Sequence, residues 1–280
     1  MRTLAILADI HGNCIALQAV LNDLERRGGA DHMIMLGDLA VFGPDPGGVL
    51  TLLQEHEPIF HVCGNTDRYL IEERYPTIPG DENWRSHVLA SFPWTARQLG
   101  QAGLNFLAHL LRRQFLNFSE EHPILAVHGS PRSDEENIGP DTPEVELRRM
   151  LLDGLAYNFL LCAHTHVPLD RIVAGKRVVN VGSVGLPFDG DPRASYALIH
   201  LVSGGEYRVE FRRVAYEVEA VVNELVAVAH PAAEVQAYNL RTARRLDPQL
   251  IYTQPMRQGH ASSAETSEPR DFQSAILSSR

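Results

Sequence analysis

The sequence predicts an α/β fold in which two sheets pack face to face, and three observations carry that expectation. Over roughly the first 67 residues, short apolar runs alternate with amphipathic stretches, the pattern of βαβ units and a parallel sheet. After His166 the pattern changes to hairpin signals, which predict antiparallel pairing. The apolar runs also stop, one after another, at Asp, Asn or His, where an open α/β sheet binds ligands at its strand ends.

Each element follows from local pattern. Thr3-Leu-Ala-Ile-Leu-Ala8 is a strand ending in Asp9-Ile-His-Gly-Asn13, and Leu17, Val20, Leu21 and Leu24 then recur at helical spacing up to Arg26, Arg27 and Gly28. Met33-Ile-Met-Leu is a buried strand closed by Gly37, which permits a tight turn, and Asp38 follows. A Gly-Pro-Asp-Pro turn leads to a short helix over about 47–55, and Pro58 to Cys63 forms a third strand, again closed by Gly64, with Asn65-Thr-Asp67 behind it. From Tyr69 to Phe118 the strand pattern lapses, and Ala96 to Leu111 reads as a helix. That stretch resembles an insertion, with Trp84, Phe92 and Trp94 placed to shape one wall of a cleft. Pro123 to Val127 is a strand ending at His128, and Thr142-Pro143 opens a helix as N-cap and first helical residue. Asn158 to Ala163 is a strand ending at His164-Thr-His166. Hairpins follow at Ala174-Gly-Lys176 and around Gly204-Gly205, the latter between strands Tyr196–Val202 and Tyr207–Val214. Val218–Val228 and Ala232–Leu246 are closing helices, so residues 1–250 read as one domain, with 216–250 as its C-terminal helical part. The Ser/Glu/Gln-rich stretch 254–280 has too few apolar residues to order itself, unless Phe272, Ile276 and Leu277 dock on the core.

Composition narrows the function. The 280-residue chain is long enough for a full core, and its 25 basic against 35 acidic residues give a net charge of −10. That balance argues against broad binding to duplex nucleic acid or an anionic membrane, though not against an anionic substrate held through metal ions. The three cysteines, Cys14, Cys63 and Cys162, form no CxxC pair and are expected as small buried hydrophobes. The apolar run before Asp9 is too short for the core of a signal peptide, and no stretch approaches a membrane span, so a reducing cytoplasm is the expected compartment.

The strand ends collect Asp9, His11, Asp38, Asn65, His128, His164 and His166. In a parallel region such ends share one rim, and alternate residues of an extended segment point the same way, which pairs Asp9 with His11 and His164 with His166. Individually, each has an ordinary alternative: Asp9 or Asp38 as a helix cap or turn residue, Gly-Asn-Thr-Asp as a plain turn, His-x-His as coincidence. The ordinary account needs five independent coincidences. The set instead suits two divalent ions about 3.5–4 Å apart, sharing one bridging carboxylate, which clamp phosphate oxygens and generate a hydroxide nucleophile. Imidazole, carboxylate and amide donors fit manganese first, with iron, zinc or nickel as alternatives, and the lack of a placed thiolate disfavours a structural zinc site. The other histidines (His32, His56, His61, His87, His109, His122, His200, His230 and His260) read as surface or core residues.

Asp9-Ile-His11, Gly37-Asp38, Gly64-Asn-Thr-Asp67, His128-Gly129 and His164-Thr-His166 stand in the order of the calcineurin-like metallophosphoesterases. The chain resembles that superfamily over about residues 1–215, and most of all its small bacterial and archaeal phosphodiesterases, a likeness that extends to Val181-Gly-Ser-Val-Gly-Leu-Pro and Gly190-Asp-Pro-Arg-Ala-Ser-Tyr196. The resemblance implies a four-layered α/β/β/α sandwich of two mixed sheets flanked by helices. It implies that Asp9, His11 and His166 hold one metal, that Asn65, His128 and His164 hold the other, and that Asp38 bridges. Catalysis would then involve Asp38, Asn65, Asp67 and His128. The departure is Thr66, where the family carries a histidine that assists the leaving group and is oriented by the Asp after it. The expected activity is hydrolysis of small phosphodiesters. Phosphomonoesters, nucleotide pyrophosphates, or a binding protein retaining a weakly active metal site are the alternatives. Arg68, Arg132 and Arg193 are candidate phosphate contacts.

Overall fold

A computed structural model describes residues 1–247 except 57, 78–79, 81, 152–154 and 203–204, and the side chains of residues 83 and 84. The expectations for the 254–280 tail, for Gly204 and for the Trp84 side chain lie outside the described residues. Two five-stranded sheets stack, and each contains a parallel trio. In the first, β1 (Arg2–Leu7), β2 (His32–Met35) and β3 (Ile59–His61) run parallel, and the order is β10-β9-β1-β2-β3. Antiparallel β9 (Ala194–Leu201) and β10 (Tyr207–Val214) extend it beyond β1. In the second, β5 (Ile124–Val127), β6 (Phe159–Cys162) and β8 (Lys176–Asn180) are the parallel trio, flanked by antiparallel β4 (Arg113–Leu116) and β7 (Leu169–Val173).

Alternation along β1 explains the layers. Leu4 and Ile6 face the second sheet, meeting Ile124, Ala126, Phe159 and Leu161 in a core between the sheets. Ala5 and Leu7 face the other way, against Leu17, Val20 and Leu21 of α1 (Cys14–Arg26) and Val49 and Leu53 of α2 (Pro46–Glu55). Both faces are dry, so the strand reads as an unbroken apolar run. Beneath the second sheet, Leu147 and Met150 of α5 (Glu144–Met150) cover Leu125, Leu160 and Val178. The result is helices, sheet, sheet, helix, as the resemblance implied.

Several expectations are corrected. The hairpin-forming half does not build a sheet of its own: β9 and β10 join β1, while β7 and β8 join β6. The parallel strands are thus divided between two sheets, and the antiparallel ones serve as extensions. Asn65 to Asp67 form the first turn of a helix the sequence did not signal, α3 (Asn65–Glu72), with Gly64 as N-cap. The long helix α4 begins at Glu82 rather than Ala96 and runs to Ala108 through Pro93, breaking its geometry at Gly100 (φ 58°). Its Leu111 exit then pairs with Val62, and the Leu111 carbonyl accepts from Cys63 N at 2.8 Å, which carries the chain from the first sheet to β4. Strand β4 itself lies in the stretch read as strand-free. Only four residues long, with a single buried side chain, it gives little apolar signal. Thr142 is not the N-cap of α5; Pro143 is, and the Thr142 hydroxyl accepts from Gly139 N instead. The chain closes with α6 (Val218–Ala227) and α7 (Ala233–Thr242). No helix of the described residues is long and apolar enough to cross a membrane.

Candidate metal centre

The two parallel trios end on the same side of the sandwich, and their exit loops meet there. Asp9, His11, Asp38 and Asn65 arrive from the first sheet; His128, His164 and His166 arrive from the second. One sheet's rim was the expectation, and the centre instead lies between two. Nor do the paired residues converge by alternation along a strand. Asp9 and His11 (both φ 51°), Asp38 (φ 55°), His164 (φ 68°) and His166 (φ 59°) all sit in the left-handed region. Non-glycine residues enter that region rarely, and such strain concentrates at functional sites. Each left-handed residue folds the chain back just past its strand, so two donors separated by one residue turn inward together.

Backbone crossings hold these bends. Gly37 (φ 93°) lies so close to Gly64 that a side chain on Gly37 would strike its backbone, and one on Gly64 would strike the Asp38 carboxylate. The exits of β2 and β3 therefore need glycine at both positions. Asp67 ties the crossing: its carboxylate accepts from Asp38 N (2.8 Å), Leu39 N (3.0 Å) and Gly64 N (3.1 Å). Burial and the neighbouring Asp38 carboxylate raise its pKa to about 6, against those hydrogen bonds. Fully buried Asp67 thus supports the loops of the centre rather than lining its cleft.

The imidazoles are oriented from behind. His11 donates from Nδ1 to the Val41 carbonyl (2.9 Å), His128 to Leu36 (2.6 Å) and His166 to Leu186, while His164 bonds to the Glu135 backbone. Because those carbonyls can only accept, Nδ1 carries the proton and Nε2 is left facing inward. The Nε2 atoms of His11 and His166 lie 3.1 Å apart, two lone pairs with no proton between them. Asp9 Oδ1 is buried with no hydrogen-bond donor, 3.4 Å from His166 Nε2. Asp38 Oδ2 is 3.7 Å from His11 Nε2 and 3.5 Å from His128 Nε2, and its Oδ1 accepts from Thr66 N at 2.9 Å. On the far side, His128 Nε2 is 3.0 Å from Asn65 Oδ1, and the His128 and His164 rings pack edge to face with centroids 5.2 Å apart.

Electrostatics describe a sink for cations. Burial raises the Asp9 carboxyl well above its ordinary value. Burial opposes ionisation of Asp38 as well, yet the imidazoles around it, His128 foremost, hold it well below the usual carboxylate range. Burial lowers the pKa of His11 and His166, and that of His164 to about 4, which keeps them neutral as ligands must be. Burial lowers His128 too, but Asp38 and Asp9 outweigh it and raise its pKa to about 10. Facing lone pairs, an orphaned buried carboxylate oxygen and neutral imidazoles fit a divalent cation. Asp9, His11, Asp38 and His166 offer ligand atoms within 4.8 Å of one another, and Asn65, His128 and His164 lie together beside them.

A cleft of about 350 Å³ opens above the centre. Thr66 lines it, and its buried hydroxyl has no hydrogen-bond partner among the described residues. Val88 of α4 and Phe42 form part of the wall, whereas Phe92 and Trp94 are buried and do not line it. The candidate arginines are engaged elsewhere: Arg68 with Asp134 and Glu135, Arg132 with Glu136, Arg193 with Asp191. Sequence reasoning missed the far wall, formed by Val235, Gln236, Asn239, Arg245 and Leu246. No motif marks these residues, and only packing of α7 brings them over the centre. It also missed Asn180, whose buried amide donates to the carbonyls of Ala163 (2.7 Å) and Ile138 (3.1 Å) and so braces the loop before His164.

Comparison with known proteins agrees with this geometry. The family model described as a calcineurin-like phosphoesterase superfamily domain matches residues 1–204. An uncharacterized protein of Methanocaldococcus jannaschii is 26% identical over 241 residues, spanning 80% of this chain and 91% of that one. The crystal structure of a metallophosphoesterase from Sphaerobacter thermophilus is 27% identical, with TM-score 0.68 over 86% of this chain and 99% of its own. A hypothetical protein from Pyrococcus horikoshii is 26% identical, with TM-score 0.72 over 86% of this chain and 98% of its own. Two mixed sheets with a polar centre between their strand ends, matched in sequence over residues 1–204, make this chain a member of the calcineurin-like phosphoesterase superfamily.

Proposed function

We propose that the protein is a dinuclear metal-dependent phosphohydrolase that cleaves small phosphodiesters. The observation that carries this reading is the pair of inward Nε2 lone pairs on His11 and His166, beside the orphaned carboxylate oxygen of Asp9. Asp9, His11 and His166 would hold one ion, Asn65, His128 and His164 the second, and Asp38 would lie between them, with manganese the first candidate and iron, zinc or nickel the others. When bound, such ions polarise phosphate oxygens and acidify water. The chain's own residues set the rest. Carbonyls at Val41, Leu36 and Leu186 hold the three rings in the ligating orientation, and only His128, whose pKa the neighbouring carboxylates raise, must release a proton on binding. The cleft is at the small end of the range that holds organic ligands, about 300–1,000 Å³, and leaves room beside the phosphate for an ester substituent. Phe42, Phe188 and Leu186 make that room apolar on one side, which favours an organic diester.

The test combines elemental analysis with a panel of diesters, monoesters and dinucleoside polyphosphates after metal reconstitution. The expected result is close to two transition-metal ions per chain and fastest turnover of diesters. A fully loaded protein that turns over none of them would instead be a binding protein with a relict centre.

Arg68 has a part in this reading as a positioning residue. From α3 it grips Asp134 through Nε (2.6 Å) and a second guanidinium nitrogen (3.0 Å), pinning the loop whose Glu135 backbone orients His164. Outer-shell changes of this kind lower metal affinity about 10- to 100-fold. Arg68→Gln is therefore expected to weaken one of the two ions by that amount and leave the other, as read by stepwise metal titration. Equal weakening of both would place the effect in the fold as a whole.

A further inference from the structure

The metal ligands lie within residues 1–166, yet one wall of the cleft above them comes from the end of the described chain. Arg245 stands in that wall. It is held from both sides. Two residues before it, the Ala243 carbonyl accepts from Gly190 N at 3.0 Å. On the other side, Leu246 N donates to Asn239 Oδ1 at 2.8 Å, while Asn239 Nδ2 donates to Gln236 Oε1 at 3.2 Å. The Leu246 side chain is buried with Ala232 and Val235 and packs on Val88 of α4. A strap between α7 and α4 thus carries Arg245 to the mouth of the centre.

The chemistry of the guanidinium is incomplete. Among the described residues Arg245 has neither an ion pair nor a hydrogen bond, unlike Arg68, Arg132 and Arg193. Arg245 is exposed to solvent where it lines the cleft. An exposed guanidinium in the cleft wall that no described carboxylate pairs is free to take an anionic ligand, to which it can donate several hydrogen bonds. The residue lines the same cleft as His11 and His164, which belong to opposite halves of the centre. Gln236 lines the cleft beside it, with Oε1 taken by Asn239 and Nε2 without a partner among the described residues.

We propose that Arg245 binds a non-bridging oxygen of the phosphoryl group that is hydrolysed, and that the Asn239–Leu246 contact positions it to do so. This rests on the phosphohydrolase reading. Arginine suits the task because its planar fork can give two parallel hydrogen bonds to one phosphate. The substrate's reacting group is then held between a centre built by residues 9–166 and a cation delivered by the C-terminal strap.

The test uses the full-length, metal-loaded protein and measures the binding of inorganic phosphate and of pyrophosphate by calorimetry. It is run beside metal content and steady-state kinetics, for wild type, Arg245→Gln, Arg245→Lys and, as a control outside the cleft, Arg244→Gln. Arg245→Gln is expected to weaken phosphate by about 10- to 100-fold, the size of a lost charge-assisted hydrogen bond, with metal content unchanged and KM raised. Arg245→Lys should recover part of that loss, and Arg244→Gln should match wild type. Unchanged phosphate affinity in Arg245→Gln overturns the proposal, as does a loss confined to pyrophosphate, which would assign Arg245 to a second phosphate. A fall in bound metal that accounts for the loss overturns it too. Phosphate binding that depends on Arg245 in a protein that hydrolyses no ester would leave this inference standing and remove the proposed activity.

Discussion

Asp38→Asn is expected to lower turnover about 10³-fold or more and to leave at most one ion firmly bound. Metal-ion charge stabilisation is worth several kcal/mol, and each 1.4 kcal/mol is tenfold in rate. The variant isolates charge from fold. Asparagine tolerates the left-handed backbone that Asp38 adopts (φ 55°), and its carbonyl oxygen can still accept from Thr66 N. What disappears is the negative charge between His11 and His128, and an amide bridges two cations poorly. Elemental analysis and turnover of a diester, with the circular dichroism spectrum as a check on folding, read this directly. Full activity with two ions retained would remove Asp38 from the bridging role.

Thr66→His is expected to raise turnover of substrates with alkyl leaving groups and to change activated aryl esters little. A nitrophenolate departs without a proton, whereas an alkoxide needs one, and a positioned general acid contributes about 10²–10⁴-fold. Position 66 is suited to the exchange: it lines the cleft, its side-chain hydroxyl bonds to nothing among the described residues, and its backbone contact with Asp38 is independent of the side chain. The gain should fall near the lower limit, about 10²-fold, because Asp67 is already engaged with three backbone amides and is poorly placed to orient a new imidazole. Comparing alkyl and aryl diesters at equal metal occupancy decides the matter. An equal effect on both would mean that position 66 does not control leaving-group protonation. A loss on both, with metal retained, would give the Thr66 hydroxyl a role of its own in holding phosphate.

The amino-acid sequence by itself determined that the fold would be α/β, and it marked the strand-end residues that the structure brings together. Strand cores here are buried on both faces, so they appear as plain apolar runs, and a polar residue that ends such a run is conspicuous. Asp9, Asp38, Asn65, His128 and His164 were legible for that reason alone. Only the tertiary structure decided where they meet. The parallel strands are shared between two sheets, and nothing local distinguishes a run destined for one from a run destined for the other. The left-handed turns at Asp9, His11, Asp38, His164 and His166 were likewise unreadable, because Asp and His enter that region more often than most residues but still in a small minority of cases, so residue type alone does not mark them. Strand β4 and the first half of α4 were missed, the one too short and too exposed, the other carrying a proline that usually ends a helix. The cleft's second wall was the least visible part. Arg245 is an ordinary arginine in sequence, and it lines the cleft because Leu246 packs between α7 and Val88 of α4, a contact between segments about 160 residues apart.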